Sequence, residues 1–518
     1  MAPGRWLAYG VLLFCVGLYA ALTSGMISND ESWFLQVARR IASGDVLYRD
    51  VFFGVTPLSA YLAGGLVGLF GVEIVVIRVM VAGCFAATAV LALCLARQLR
   101  LSSASQALLV MAIVAYVPAW MPGIGSPYTP LAYVFLLACL AATLAWLAHA
   151  RSESAPPSRS IHWLLAAGGF AGLAFASKQT IGGYALAALW VAILGRSPLE
   201  GHEPRGKLKD LVTASLAFGT ITVMTLLPVW ASRGFGKFLE YGFLNRGEYV
   251  AAASISYWVH LRDWLHLLVQ LKPPPDVLFA YWELQLLLPI ATFPALGVAW
   301  FRCGPVKRST ALTLFSFSAA AFAGAFPRVD LPHMAPAVTP LAIALFWSME
   351  QIATLPKRPL DQAARILIAI WLGLGVVAQL ARPLRWMALG THSLSPLPHF
   401  HGVLLPRDVS AALLSHSQVI TSIPPDETLF FLSPSASLLY LLCDRADPTP
   451  YDYPLVTAFG REGQWNVIDE IIRGRVQWVC LTPLGADPLS PSVLEAYVQE
   501  HMQPSRDAGA CKLYLRSP

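Results

Sequence analysis

Apolar and polar residues fall into long alternating blocks along this chain, and the blocks define its elements. A helix needs about 20 apolar residues to cross the hydrocarbon core of a bilayer, and about eleven segments approach that length. They lie near 6–26, 72–96, 105–121, 129–149, 161–177, 180–195, 211–231, 277–300, 310–326, 335–354 and 364–382. Trp6–Thr23 reads as an uncleaved anchor, because its apolar run is longer than that of a signal peptide and further spans follow. The expected fold class is an α-helical polytopic membrane protein.

The pattern changes after the first block. Ser28-Asn29-Asp30-Glu31 has the S-x-x-E form of a capping box, which predicts a helix start with Ser28 as cap and Glu31 reaching back to it. Trp33, Val37 and Ile41 recur every four residues beside Phe34 and Ala38, giving one apolar face, and Gly44 supplies a left-handed stop. The result is a short amphipathic helix lying on the membrane surface. Leu58–Phe70 is short for a span and is interrupted by Gly64 and Gly65, so it reads as a second interfacial helix. The long loop 232–276 carries Phe235, Phe238, Tyr241, Phe243, Tyr249, Tyr257, Trp258 and Trp264 and ends at Lys272-Pro273-Pro274-Pro275. It is either a membrane-resting aromatic belt or a lipid-substrate contact.

A transmembrane domain is expected over 1–382 and a Pro-, His- and Ser-rich linker over 383–426. Within 427–518, Thr428–Leu432, Arg475–Leu481 and Cys511–Leu515 predict strands. Ser435–Leu442, Trp465–Ile472 and Pro491–Glu500 predict helices between them, which makes a small α/β domain.

Composition supports the membrane reading. The chain has 518 residues, 56% hydrophobic and 13% charged, against about 25% charged in soluble domains. The net charge of +6 is spread out, with no basic run of the kind that forms a nucleic-acid arm, so nucleic acid is not expected as a partner. Lysine and arginine gather in alternate short loops: Arg5; Arg97 and Arg100; Arg151 and Arg159; Arg196, Arg205, Lys207 and Lys209; Arg302, Lys307 and Arg308; Lys357 and Arg358. The positive-inside rule makes these loops and the N-terminus cytoplasmic. The loop holding Asp30, the uncharged turn at 122–128 and everything after Arg382 then fall outside, in a multi-pass protein of the inner (plasma) membrane. Eight cysteines show no zinc spacing, and Cys443, Cys480 and Cys511 allow one disulfide without choosing the pair.

Three charged stretches share the outer face. Asp30-Glu31 opens a helix where the dipole favours an anion. It is either a working carboxylate pair or a completed capping box with a solvated acid. Lys178-Gln179 breaks two apolar runs, as a phosphate ligand or as a snorkelling lysine. Arg328-Val329-Asp330-Leu331-Pro332-His333 forms a whole outer turn. Its arginine suits phosphate, and the alternative is a surface ion pair beside an interfacial histidine. An acid that takes a proton and cations that hold phosphate suit transfer from a lipid phosphate.

These residues carry a resemblance. Asp30-Glu31, Ala42-Ser43-Gly44-Asp45, Leu47-Tyr48-Arg49-Asp50, Thr56-Pro57-Leu58-Ser59-Ala60-Tyr61-Leu62, Leu69-Phe70-Gly71, Lys178-Gln179 and the Arg328–His333 turn resemble, in order and spacing, the GT-C superfamily of polytopic glycosyltransferases. The nearer likeness is to bacterial relatives of protein O-mannosyltransferases and lipid A aminoarabinose transferases, over roughly residues 1–380. The resemblance implies a polyprenyl-phosphate sugar donor, an extracytoplasmic site, a protein, lipid or polysaccharide acceptor, and inversion at the anomeric carbon. Carried over by position, Asp30 is the general base, and Lys178 and Arg328 hold the donor phosphate. Gln179 and Asp330 belong to the same group, His333 orients phosphate or sugar, and Asp50 is a candidate second acid. Some relatives carry Glu-Lys before the first-loop proline; this chain has Val55-Thr56, which shifts weight to Lys178. No cofactor is demanded, although Asn29-Asp30-Glu31 offers oxygens to Mg or Mn. The alternatives are a lipid-linked saccharide flippase and a catalytically silent envelope scaffold. Charges at span ends and the lack of an internal repeat favour the enzyme.

Overall fold

The structure, a computed structural model, describes residues 3–124, 126–150, 157–196, 204–270, 281–352, 359–460 and 462–517. The Lys272-Pro273-Pro274-Pro275 loop end and the inner-loop residues Arg151, Lys357 and Arg358 lie outside the described residues.

Each apolar block lies on a helix. These are α1 (Pro3–Leu22), then α4 (Ile74–Gln98), α5 (Ser103–Ile124), α6 (Tyr128–Ala150), α7 (Pro157–Ser177), α8 (Gln179–Leu194) and α9 (Pro204–Ala231). The helices Leu287–Arg302, Pro305–Ala323, Val338–Ile352 and Pro359–Ala388 follow. Among the described residues, 7 helices are long and apolar enough to cross a membrane. The protein is a multi-span membrane protein. Between α1 and α4 lie α2 (Asn29–Ala42) and α3 (Leu58–Phe70), the two short helices the pattern predicts.

The setting of α2 differs from expectation. It does not rest on an open membrane surface: Glu31 through Ala38 are all buried. Its apolar face packs on α3, where Gly64 leaves room for Ile41; a Cβ there would sit 2.6 Å from the Ile41 side chain. Its polar face is covered by the C-terminal domain. Gln36 Nε2 donates to Asp452 Oδ1 at 2.9 Å, Arg40 Nη1 donates to Asp452 Oδ2 at 3.0 Å, and Arg39 Nη2 donates to the Arg445 carbonyl at 2.5 Å. Periodicity shows which side of a helix avoids water; it does not show whether protein or water satisfies the other side. Trp33, Phe34, Tyr48 and Phe53 consequently share one hydrophobic core with Phe430, Phe431 and Tyr440.

The expected linker 383–426 is ordered. The last long helix runs past Arg382 and Pro383 to Ala388, a hairpin of β1 (His392–Leu394) and β2 (Leu404–Pro406) follows, and Arg407–Thr421 is helical. Composition hides that helix because its inward face is short. Ile420 enters the core, with Leu413 and Leu414 packed against it.

The C-terminal sheet has the order β3-β4-β6-β5. β3 (Leu429–Leu432) runs parallel to β4 (Trp478–Leu481), which requires the crossover that the helices Ala436–Leu442 and Gly463–Ile472 supply. β6 (Lys512–Arg516) is antiparallel to β4 and to β5 (Met502–Asp507). β5 is the strand that periodicity misses: after Met502 it is exposed, and it carries Pro504 at the sheet edge, where a missing N–H is tolerated. A disulfide joins Cys480 to Cys511, and Cys443 is a buried free thiol.

Candidate active site

Asp30 stands in the first turn of α2. Ser28 caps that helix as expected, its Oγ accepting from the Glu31 N–H at 3.1 Å. The Asp30 carbonyl accepts from Ser126 Oγ at 3.2 Å, which fixes the turn against the start of α6. The Tyr453 hydroxyl, contributed by the C-terminal domain, faces the Asp30 carboxylate. The Tyr453 ring stacks on Trp33, one turn along α2, with centroids 5.9 Å apart.

Burial raises the Asp30 pKa above the usual carboxylate value. His333, Arg328 and the Tyr453 hydroxyl pull it back, and the Asp330 charge adds to the rise. The direction of the net shift is upward, toward the range in which a carboxylate exchanges protons efficiently. The same interactions bring Asp30, Arg328, Asp330 and His333 into one electrostatic cluster, although their segments are remote in the chain.

The Arg328 turn is held from two sides. The Ile255 N–H donates to the Pro327 carbonyl at 3.0 Å, and the Val329 N–H donates to the Ile255 carbonyl at 3.3 Å. Asp330 caps the short helix Leu331–Met334 through the His333 N–H, pairs with the His333 ring, and accepts from Arg328 Nε at 2.7 Å. Burial alone would raise the Asp330 pKa, but His333 and Arg328 hold it below the normal value. Asp330 therefore positions the Arg328 guanidinium and the His333 ring and stays charged. Its bond to Arg328 uses Nε alone, and the arginine side chain is 39% exposed, so the terminal fork remains open to an anion.

Lys178 sits at the α7–α8 break, where its backbone is extended. Its Nζ donates to Thr129 Oγ1 at 3.2 Å and lies 5.7 Å from the Tyr128 ring centroid. Tyr128 in turn packs near Phe34 and Phe53 and lies within electrostatic range of Tyr453. Lys178 thus borders the Asp30 cluster across an aromatic ring.

The remaining candidates have other partners. Glu31 does not return to its cap. It is buried and makes a two-point pair with Arg78, Nε–Oε1 2.7 Å and Nη2–Oε2 2.9 Å. Arg78 also donates to the carbonyls of Ala21 and Met26. A buried guanidinium demands a counter-charge, and this outcompetes a back-bond to the Ser28 N–H. Asp50 closes its own turn, accepting from the Val46 N–H at 2.9 Å and from Arg49, which lowers its pKa. Gln179 is buried, and its Nε2 donates to the carbonyls of Gly54 and Gly242, tying α8 to the first loop and to the helical segment Glu240–Leu244. Asn29 Oδ1 accepts from Ser435 Oγ at 3.1 Å. With Glu31 and Asn29 so engaged, the Asn29-Asp30-Glu31 run does not gather its oxygens around one point. Among the described residues no group of three or more His, Cys, Asp or Glu side chains is assembled for a metal.

Sequence reasoning missed Tyr453 and Tyr128 as members of this site. The visible signal for the first was the Asp447-Pro448-Thr449-Pro450-Tyr451-Asp452-Tyr453 run, too unusual for a solvated loop. Nothing local marks Tyr128.

The bundle of long helices, with two short helices after the first of them, is similar in fold to solved polytopic membrane glycosyltransferases. Residues 54–224 match the family model described as dolichyl-phosphate-mannose-protein mannosyltransferase. Among solved structures, the chain is similar to ArnT from Cupriavidus metallidurans bound to undecaprenyl phosphate, with TM-score 0.57 and 17% identity over 100% of both chains. It is similar to the Archaeoglobus fulgidus oligosaccharyltransferase tethered to an acceptor peptide, with TM-score 0.54 and 10% identity over 100% of this chain and 74% of that one. It is also similar to the mycobacterial arabinofuranosyltransferase AftD, with TM-score 0.51 and 12% identity over 100% of this chain and 40% of that one. Comparison with the curated proteins gives no match.

Proposed function

We propose that this protein is an inverting glycosyltransferase that moves a hexosyl or pentosyl group from a polyprenyl-phosphate donor to an acceptor hydroxyl at the outer face of the inner membrane. The observation that carries this reading is the cluster of Asp30, Arg328 and His333, brought together from distant segments at one end of the helical bundle. The acceptor hydroxyl attacks the anomeric carbon while Asp30 takes its proton. The carbon–oxygen bond to the phosphate breaks on the opposite side, so one displacement inverts the centre. Negative charge grows on the departing phosphate. Arg328 offsets it in a site that burial makes less polar than water, with Lys178 beyond Tyr128 as a second cation and His333 positioned beside Asp330. These cations supply the electrophilic role, so the reaction is read as independent of Mg or Mn, and a chelator should leave turnover unchanged.

The donor's isoprenoid chain has a matching surface. A cavity of about 810 Å³ lined by Tyr257, Trp258, Pro289, Phe293, Phe322 and Phe326 ends at Pro327, beside Arg328. A lipid seated there would present its phosphate to the Arg328 turn, and the similar ArnT structure contains undecaprenyl phosphate. The Cys480–Cys511 disulfide supports an extracytoplasmic C-terminal domain, because such bonds persist in oxidising compartments.

The test is purified protein in proteoliposomes with a panel of polyprenyl-phosphate hexoses and pentoses, scored by release of free polyprenyl phosphate. The wild type should turn over and Asp30→Asn should not. Equal rates would remove Asp30 from its role. A wild type that binds every donor and releases none would remove the reading itself.

A further inference from the structure

A second group of cationic and polar side chains lies on the last long helix, apart from the Asp30 cluster. The Arg382 guanidinium lies against two indoles, its Cζ 5.2 Å from the Trp282 ring centroid and 4.7 Å from the Trp386 ring centroid. Gly375, Gln379, Arg382 and Trp386 follow one another at steps of four, three and four, which places them on one helix face. That face meets the segment at 281–282: Tyr281 lies so close to Gly375 that a Cβ there would overlap its hydroxyl.

Three N–H donors in this group are buried without an acceptor: Arg382 Nε, Trp282 Nε1 and Gln379 Nε2. Gln379 is 8% exposed. Buried donors in proteins are almost always paired, and a guanidinium with an unpaired Nε at the end of a span is the costliest kind to leave so. All three groups donate, so the missing component is an acceptor, and its best match to a guanidinium is an anion with oxygens in a fork. The position is also specific. Trp386 packs on Gly25, four residues before α2 begins, and the Tyr19 hydroxyl donates to the Leu380 carbonyl at 2.9 Å. The group therefore lies at the membrane face that holds Asp30.

We propose that Arg382, Trp282 and Gln379 form a second anion site that takes a phosphate group, carried by a membrane phospholipid or free in solution. The two indoles hold the guanidinium plane by cation–π contact. The phosphate oxygens then accept from Arg382 and from the flanking indole and amide. The site is independent of the glycosyl-transfer reading, because none of its residues belongs to the Asp30 cluster.

Native mass spectrometry of the full chain in detergent, titrated with phosphatidylglycerol, tests it, with inorganic phosphate as a parallel titration. Arg382→Gln should weaken retention of one ligand roughly tenfold, the factor that about 1.4 kcal/mol of lost charge-assisted bonding gives. Trp282→Phe keeps a ring for packing but deletes one donor, and should weaken it several-fold. Arg385→Gln, on the exposed last turn of the same helix, should match the wild type. Retention of phosphatidylglycerol that inorganic phosphate displaces identifies a lipid headgroup as the ligand; binding of inorganic phosphate alone identifies the free ion. Equal retention of both probes by wild type, Arg382→Gln and Trp282→Phe would overturn the proposal.

Discussion

The Tyr453 hydroxyl, contributed by the C-terminal domain, faces the Asp30 carboxylate of the first loop and favours its charged form. Removing the hydroxyl with Tyr453→Phe should raise the Asp30 pKa further. A general base works only when deprotonated, so the acid limb of the kcat/KM profile should move to higher pH. The phenyl ring keeps the Trp33 stack, so thermal stability should hold. A profile superimposable on the wild type would show that Tyr453 does not tune Asp30.

Arg328 offers a fork, and lysine does not. Arg328→Lys keeps the charge but loses two-point recognition of phosphate. Turnover at saturating donor should fall on the order of 10²-fold, as for loss of a positioned donor at a developing charge. Wild-type kcat in Arg328→Lys would reduce this residue to a partner of Asp330.

Glu31 and Asp30 are adjacent and separable. Glu31→Gln leaves Arg78 buried without its counter-charge, a loss of about 3–5 kcal/mol for breaking a buried pair. The melting temperature in detergent should drop by several degrees, whereas the protein that remains folded should turn over near the wild-type rate. Lost turnover with an unchanged melting temperature would instead make Glu31 catalytic.

Asp447 lies buried beside Asp452, and burial, then the Asp452 charge, push its pKa up to about 8. An unfolded aspartate titrates near ~3.9. Between these values the folded state holds a proton that the unfolded state releases, so stability falls as pH rises from about 4 to about 8. Asp447→Asn removes that dependence. Its melting temperature should exceed that of the wild type above pH ~8 and match it near pH ~4. A pH series of thermal unfolding curves that stay parallel would refute this.

Much of the molecule was legible beforehand because membranes impose simple rules. A span must be apolar and helical, so α1, α4 and the later long helices follow from block lengths. Ser28 and Gly44 bracket α2 by local hydrogen bonding and backbone freedom, which act over a few residues and can be read from them. Asp30, Arg328 and His333 were visible as ionisable groups at span ends, where burial makes charge conspicuous.

The partners of those groups were not visible, because pairing depends on distance in space. Glu31 looked like a capping residue until Arg78, on α4, proved to face it. The polar side of α2 looked solvent-facing until Asp452 covered Gln36 and Arg40. Tyr453 stands in an unusual Pro- and Tyr-rich run that does not name its partner, and Tyr128 carries no local mark at all. The sequence by itself determined which segments form apolar helices and which charged side chains lie at their ends. Only the tertiary structure decided which acid meets which base, because a buried charge selects its partner from whatever the packed chain brings within a few ångströms.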